Sequence, residues 1–294
     1  MSRLVTIPPA ARLTPLLDGY AAARAAKRWR ALLGALLLAL ALALSVLGAE
    51  VDVATWWHKL GNFTSYFDRL LLLESGARVW TDPAEWFWGI RRWLRLLGET
   101  LLTAYVGTLT GALIAFAACF AASRNMMPAA IPRTIAKRCL EFCRTVPEIV
   151  FALIFVASFG LGAMAGVMAV ALHTTGALGK LFAEVVENID MKPVEGVTSA
   201  GGSWFAQVRF GVLPQVLSNF VSYGLLRFEI NVRGAAVLGF VGAGGIGEDL
   251  ITAIRKFFYA DVSAMLLLIV VTVMLIDTLS GRLRHRLLAA ETNV

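Results

Sequence analysis

The residues best equipped for chemistry sit close together in Arg227-Phe-Glu229-Ile-Asn231-Val-Arg233, inside an otherwise apolar stretch. Guanidinium groups bind carboxylates and phosphorus oxyanions through several fixed donors. Glu229 and Arg233 stand four apart, so on a helix they share a face and can neutralise each other. Asn231 adds a polar contact beside them, and Arg227 has no local partner in the sequence. Arg144 and Glu148 repeat the four-residue spacing further upstream. Two readings stand for these six residues. Either the arginines line a path and attract an anion, or the charges hold helices together as buried ion pairs, including across a dimer.

Catalytic chemistry finds no support. The three histidines, His58, His173 and His285, fall in unrelated regions, and no nucleophile triad accompanies them. Cys139 and Cys143 share a helix face, but no further Cys or His stands near enough to complete a metal site, so these two and Cys119 read as reduced structural thiols. Gly176-Ala-Leu-Gly179-Lys180-Leu falls short of the phosphate-binding loop G-x-x-x-x-G-K-[ST], so the chain is expected to bind neither ATP nor a metal. Gly242-Ala-Gly244-Gly245-Ile-Gly247 satisfies G-x-G-x-x-G. A dinucleotide site would also need a preceding strand and an acidic residue about 20 positions on. Apolar helical runs flank it instead. These glycines, with Gly239, are expected to break a helix near an outer gate, where irregular backbone can line a cavity.

The elements that must position these residues are membrane helices. Of 294 residues 58% are hydrophobic and 16% charged, and the charges leave long apolar runs between them. Soluble domains carry about 25% charged residues, so the composition points to a lipid bilayer. The formal charge of +7 is then assigned to cytoplasmic loops that fix orientation, not to nucleic acid. A hydrocarbon crossing takes about 20 residues. That length is met near residues 31–49, after Arg24, Lys27, Arg28 and Arg30, and again near 99–122, 135–159, 163–186, 213–240 and 261–279. The uncharged run 149–172 is divided at Gly160-Leu161-Gly162, because six spans put Arg282, Arg284 and Arg286 on the same side as the basic N-terminus. Both termini are therefore expected in the cytoplasm. Residues 83–97 suggest an amphipathic helix on the outer surface. Arg91, Arg92 and Arg95 there run against the charge rule.

Between the fourth and fifth spans the chain reads Glu195-Gly-Val-Thr-Ser-Ala-Gly201, then nine residues, then Gly211-Val-Leu213-Pro214. Gly201-Gly202 permits a sharp turn and Pro214 suits the first turn of a helix. The pattern resembles the signature of ABC importer permeases: Glu-Ala-Ala, three residues, Gly, nine residues, Ile-x-Leu-Pro. Glu195, Gly201, Leu213 and Pro214 keep the spacing, while Gly196, Val197 and Gly211 replace the two alanines and the isoleucine. Together with Arg144-Thr-Val-Pro147-Glu148 and the two stretches above, it resembles permeases of phosphonate importers over about residues 95–285.

The resemblance implies an all-α membrane protein of the type I importer fold in the bacterial inner membrane. Residues 1–95 would precede a permease core at 96–294, with the coupling loop at 188–214. It implies a homodimer, two ATP-binding subunits that hold ATP and Mg on the cytoplasmic side, and a periplasmic substrate-binding protein. The chain itself would be no enzyme. Its cargo would be phosphonate, phosphite or phosphate. A methionine-type ABC permease and an ion-driven secondary transporter are the alternatives, although no internal repeat of the kind common in the latter appears.

Overall fold

The computed structural model describes residues 10–49 and 52–291. They form helices and connecting turns, and contacts divide them into two compact units at Ser65/Tyr66. The larger unit therefore begins well before residue 96. Leu70 and Trp93 explain this, because both are buried in one cluster with Ile246, Leu250, Val262 and Met265.

The first unit contains α1, Ala10–Gly48, whose candidate span is Asp18–Gly48. α1 is longer than the apolar run, because the basic residues that precede Ala31 are themselves good helix formers. α2, Val53–Leu70, begins here; Asp52 caps it by accepting from the Thr55 amide at 3.0 Å.

In the second unit a one-turn helix α3, Pro83–Trp86, leads into α4, Ile90–Ala122. The separate interfacial helix expected at 83–97 is replaced by a break at Phe87–Gly89. Nothing between Ile90 and Glu99 interrupts a helix, so α4 runs on for 33 residues, about 50 Å. Arg92 there pairs with Asp249 at 2.6 Å, which accounts for one of the three arginines on the outer side.

The third span also differs from expectation. α5, Ala130–Thr145, and α6, Glu148–Phe159, meet at 87° instead of forming one rod over 135–159. Pro147 lacks an amide hydrogen and disfavours helical geometry at the residue before it. Val146 accordingly takes φ −71°, ψ 124°. α6 alone is about 18 Å long, short of a bilayer core of about 30 Å, so it reaches the length and apolarity of a crossing only together with α5.

The break at Gly160–Gly162 falls where expected, with φ of +89° and +139° at the two glycines. α7, Ala163–Glu187, follows and is the most enclosed span, 67% buried. Next come α8, Lys192–Ser199; α9, Trp204–Ala206; and α10, Leu213–Leu238, entered through a π-helical turn at Gln207–Val212. α11, Ile246–Arg255, bends 50° from α10. α12, Tyr259–Glu291, extends beyond both ends of the 261–279 run expected. Among the described residues four helices are long and apolar enough to span alone, and the number reaches six where each bent pair counts as one span.

α4, α7 and α10 form the centre. On one half Phe182 stacks on Phe220 with ring centroids 4.0 Å apart, surrounded by Cys119, Leu178, Val212 and Val216. Leu102, Leu113, Val270 and Met274 are exposed, as suits side chains facing lipid tails.

Candidate functional site

The loop after α7 is built to present one short helix. Pro193 lies in the first turn of α8, where its missing N–H costs no hydrogen bond. Val194 is buried, and Gly211 fits against it so closely that a Cβ there would lie 2.9 Å from the Val194 Cα. Gly201 ends the helix at φ +79°, donating to the Thr198 carbonyl at 2.9 Å, while Gly202 donates to that of Val197 at 2.9 Å. These two bonds make a Schellman cap. Gly202 itself has no room for a side chain, since a Cβ would meet the Val197 Cγ1 at 2.5 Å. Glu195 and Thr198 remain exposed, Leu213 is partly buried, and Pro214 opens α10.

α10 carries its polar residues on two opposite faces, because two steps along a helix turn the side chain by about 200°. Glu229 and Arg233 face α12. Arg233 donates to both oxygens of Asp277 at 2.8 and 3.0 Å, and Arg284 lies 4.0 Å from buried Glu229. The mutual pairing expected of Glu229 and Arg233 is thus replaced by partners on α12. Those carboxylate and guanidinium groups reach the same level only once the helices pack.

The other face joins α4 and α7. Asn231 is fully buried and donates to Thr108 Oγ1 and Thr174 Oγ1, each at 2.8 Å. This node ties three helices at one point. Asn231→Ala should lower stability by about 1–2 kcal/mol, since inter-helix hydrogen bonds in membranes contribute about 0.6 kcal/mol each and a void is added. A thermal midpoint in detergent that does not move would show that the node contributes nothing.

Arg227 lies on this second face, one turn from Asn231. Its Nε is buried without a hydrogen-bond partner among the described residues, and its guanidinium is in electrostatic contact with Glu148 and His173. Glu148 starts α6 just past the break, and its carboxylate occupies the space beside Gly234 of α10, where any Cβ would collide with it. The ring of His173 on α7 contacts the freed carbonyl of Val146, Nδ1 to O 3.0 Å, and senses Arg144 as well. Arg144 and Glu148 therefore sit on two helices, not four apart on one. The break gathers them with Arg227 and His173. His173 carried no signal in the sequence, since its partner is a backbone carbonyl exposed only by the bend.

The glycine-rich segment forms the turn between α10 and α11. Gly242, Gly244 and Gly245 have φ of +84°, +78° and +80°. Gly239 and Gly247 cross so closely that a Cβ on Gly239 would be 2.7 Å from the Gly247 Cα. The turn is fastened on both sides. The Ile246 amide donates to Thr100 Oγ1 at 3.0 Å, and the Gly162 amide to the Gly242 carbonyl at 2.9 Å.

Helix contacts rest on further glycines in α4 and α7. A Cβ on Gly107 would meet the Val170 side chain at 2.7 Å, and one on Gly111 the Ala171 carbonyl at 2.7 Å. Their G-x-x-x-G spacing is the signal that could have found them. Gly176 and Gly179, considered above only as part of a nucleotide loop, are contact points of α7 for α5.

Residues 107–289, more than half the chain, match the family described as binding-protein-dependent transport system inner membrane component. The phosphite transport system permease protein PtxC of Stutzerimonas stutzeri is 37% identical over 246 residues, 78% of this chain and 90% of that protein. The phosphate-import permease protein PhnE of Mycolicibacterium smegmatis is 38% identical over 190 residues, 65% of this chain but only 36% of that longer protein. Among solved structures, a chain of the MetNI methionine ABC transporter in an inward-facing conformation superposes with a TM-score of 0.57 at 20% identity, covering 66% of this chain and 95% of that one. At that identity the likeness speaks for the fold alone.

Proposed function

The chain belongs to the family of binding-protein-dependent transport system inner membrane components, and we propose that it passes a phosphorus oxyanion through the inner membrane as the permease subunit of an ABC importer. The observation that carries the cargo class is the phosphite permease's similarity along nearly its whole length. The methionine transporter shares the fold at an identity too low to argue for its cargo.

Two copies would enclose the path, with two ATPase subunits beneath them and a binding protein above. The support for coupling is α8, short, opened by Pro193, closed by its Schellman cap and seated on Gly211. ATP-driven closure of the ATPase pair would drag α8 and, through Gly211 and Pro214, the foot of α10. Motion there would reach Asn231 and Arg227 along one continuous helix, and the glycine turn beyond Leu238 would give way as an outer gate. Thus ATP and Mg belong to the partner, and this chain supplies the path.

Co-purification of the tagged chain with its ATPase subunit, followed by hydrolysis assays with the binding protein, tests the reading. Stimulation by phosphite-, phosphate- or phosphonate-loaded binding protein over the unloaded form is the expected result. Stimulation by methionine-loaded protein instead would overturn the cargo. Failure of any ATPase subunit to associate would leave the ion-driven carrier as the better account.

A further inference from the structure

We infer that the break between α5 and α6 is an oxyanion subsite within the membrane, formed by Arg144, His173 and Arg227, in which the cargo displaces Glu148 as the partner of Arg227. The inference rests on the oxyanion cargo proposed above and names the residues that would meet it.

Charge balance is the first support. An isolated charge inside a span costs at least about 2.5–3.5 kcal/mol, so arginines there are expected to have partners. Arginines on α10, α12 and α4 do: Arg233 has Asp277, Arg284 has Glu229 and Arg92 has Asp249. Partly buried Arg227 has no carboxylate within 4.0 Å among the described residues, and neither has Arg144, which is exposed in the last turn of α5. Glu148 is the acid in electrostatic contact with Arg227, and it stands back against Gly234. Arg227 and Arg144 both lie within electrostatic reach of His173, and with Glu148 as the acid given to Arg227 they leave a positive charge that an anion would balance.

Donor geometry is the second. The Nε of Arg227 is buried and lacks an acceptor, which is costly unless something fills the position for part of the cycle. A tetrahedral oxyanion offers several acceptors at once. Where Nδ1 of His173 donates to the Val146 carbonyl, Nε2 keeps a lone pair. That atom can accept the hydrogen of a P–OH group, so the site suits an oxyanion that retains one proton. A carboxylate left close by prevents the affinity from becoming too high for release. Broken membrane helices are a recurring setting for anion sites in transporters, and here the break is made by Pro147.

The test uses the complete importer in proteoliposomes, measuring uptake of radiolabelled phosphate and phosphite alongside binding-protein-stimulated ATPase. Arg227→Met is expected to cut uptake by about tenfold or more, the scale of one lost charge-assisted hydrogen bond, with ATPase stimulation retained. Arg227→Lys should recover part of the uptake through a raised KM. The paired arginine supplies the contrast: Arg233→Met with Asp277→Asn should leave uptake close to normal. Uptake by Arg227→Met at the normal rate, or no gain from lysine over methionine, would overturn the subsite while leaving the cargo assignment intact. Wild-type liposomes that take up neither anion, nor an alkylphosphonate offered in parallel, would remove the cargo assignment and the subsite with it.

Discussion

Gly176→Leu is expected to yield a chain that inserts but does not hold α5 against α7. A Cβ at this position would meet the Arg144 amide, the Leu140 carbonyl at 2.6 Å and the Cys143 carbonyl carbon at 2.7 Å. All three are backbone, which cannot swing aside as a side chain can. Overpacking of a close contact costs about 1–3 kcal/mol and more where no side chain can yield. A loss of about 3 kcal/mol is more than a hundredfold in the folded ratio. Size-exclusion profiles in detergent and trypsin sensitivity at Arg133, Lys137 and Arg138 would report it, with an aggregated or rapidly cleaved protein expected. Gly224→Ala is the control at an open position, since nothing lies within 4 Å of a Cβ there. A stable, protease-resistant Gly176→Leu protein would show that α5 is not anchored on α7. The same substitution bears on the oxyanion subsite, because Arg144 reaches the break only while α5 lies in this groove.

The sequence made the broad architecture legible because lipid imposes a simple constraint: each crossing must be apolar and about 20 residues long. The runs that became α1, α4, α7 and α12 meet it without help from tertiary structure. The break at Gly160 and Gly162 was reached through the charge rule, since dividing the run there puts Arg282, Arg284 and Arg286 on the side of the basic N-terminus. Pro147 announced no break, because a single proline is tolerated in membrane helices when neighbours satisfy the freed backbone. Here the neighbour is His173, and no local pattern connects it with Val146. A similar limit hid the partners of Arg233 and Glu229. Asp277 and Arg284 lie on another helix, so a spacing rule confined to one helix paired the wrong residues. The opposition of Arg227 and Asn231 to Glu229 and Arg233 was nonetheless open to view, because it follows from helical geometry alone. The tight glycines of α4 and α7 were hidden differently: their role depends on what lies across from them.

Gly201→Val should separate insertion from energy transfer more sharply than any other substitution in this chain. The residue has φ +79°, and no atom lies within 4 Å of the position a Cβ would take. Space is therefore not the obstacle; backbone conformation is. A β-branched residue in the left-handed region is strained by about 1–3 kcal/mol, and the simplest relief is to give up the two hydrogen bonds of the Schellman cap. α8 would then lose its fixed end while α4, α7 and α10 keep their packing, since no core side chain changes. The expected outcome is normal yield and thermal stability, ATPase subunits still bound, stimulation by loaded binding protein reduced to the basal rate, and uptake down by about tenfold or more, as a strain of 1–3 kcal/mol on the coupling step allows. Gly201→Asn should behave almost as wild type, because asparagine tolerates the left-handed region. That contrast isolates the cause: a requirement for small size would reject both variants, whereas a requirement for positive φ rejects only valine. Full stimulation and uptake in Gly201→Val would mean that α8 does not carry the motion, and the exposed aromatic pair Trp204 and Phe205 on α9 would become the next contact to examine.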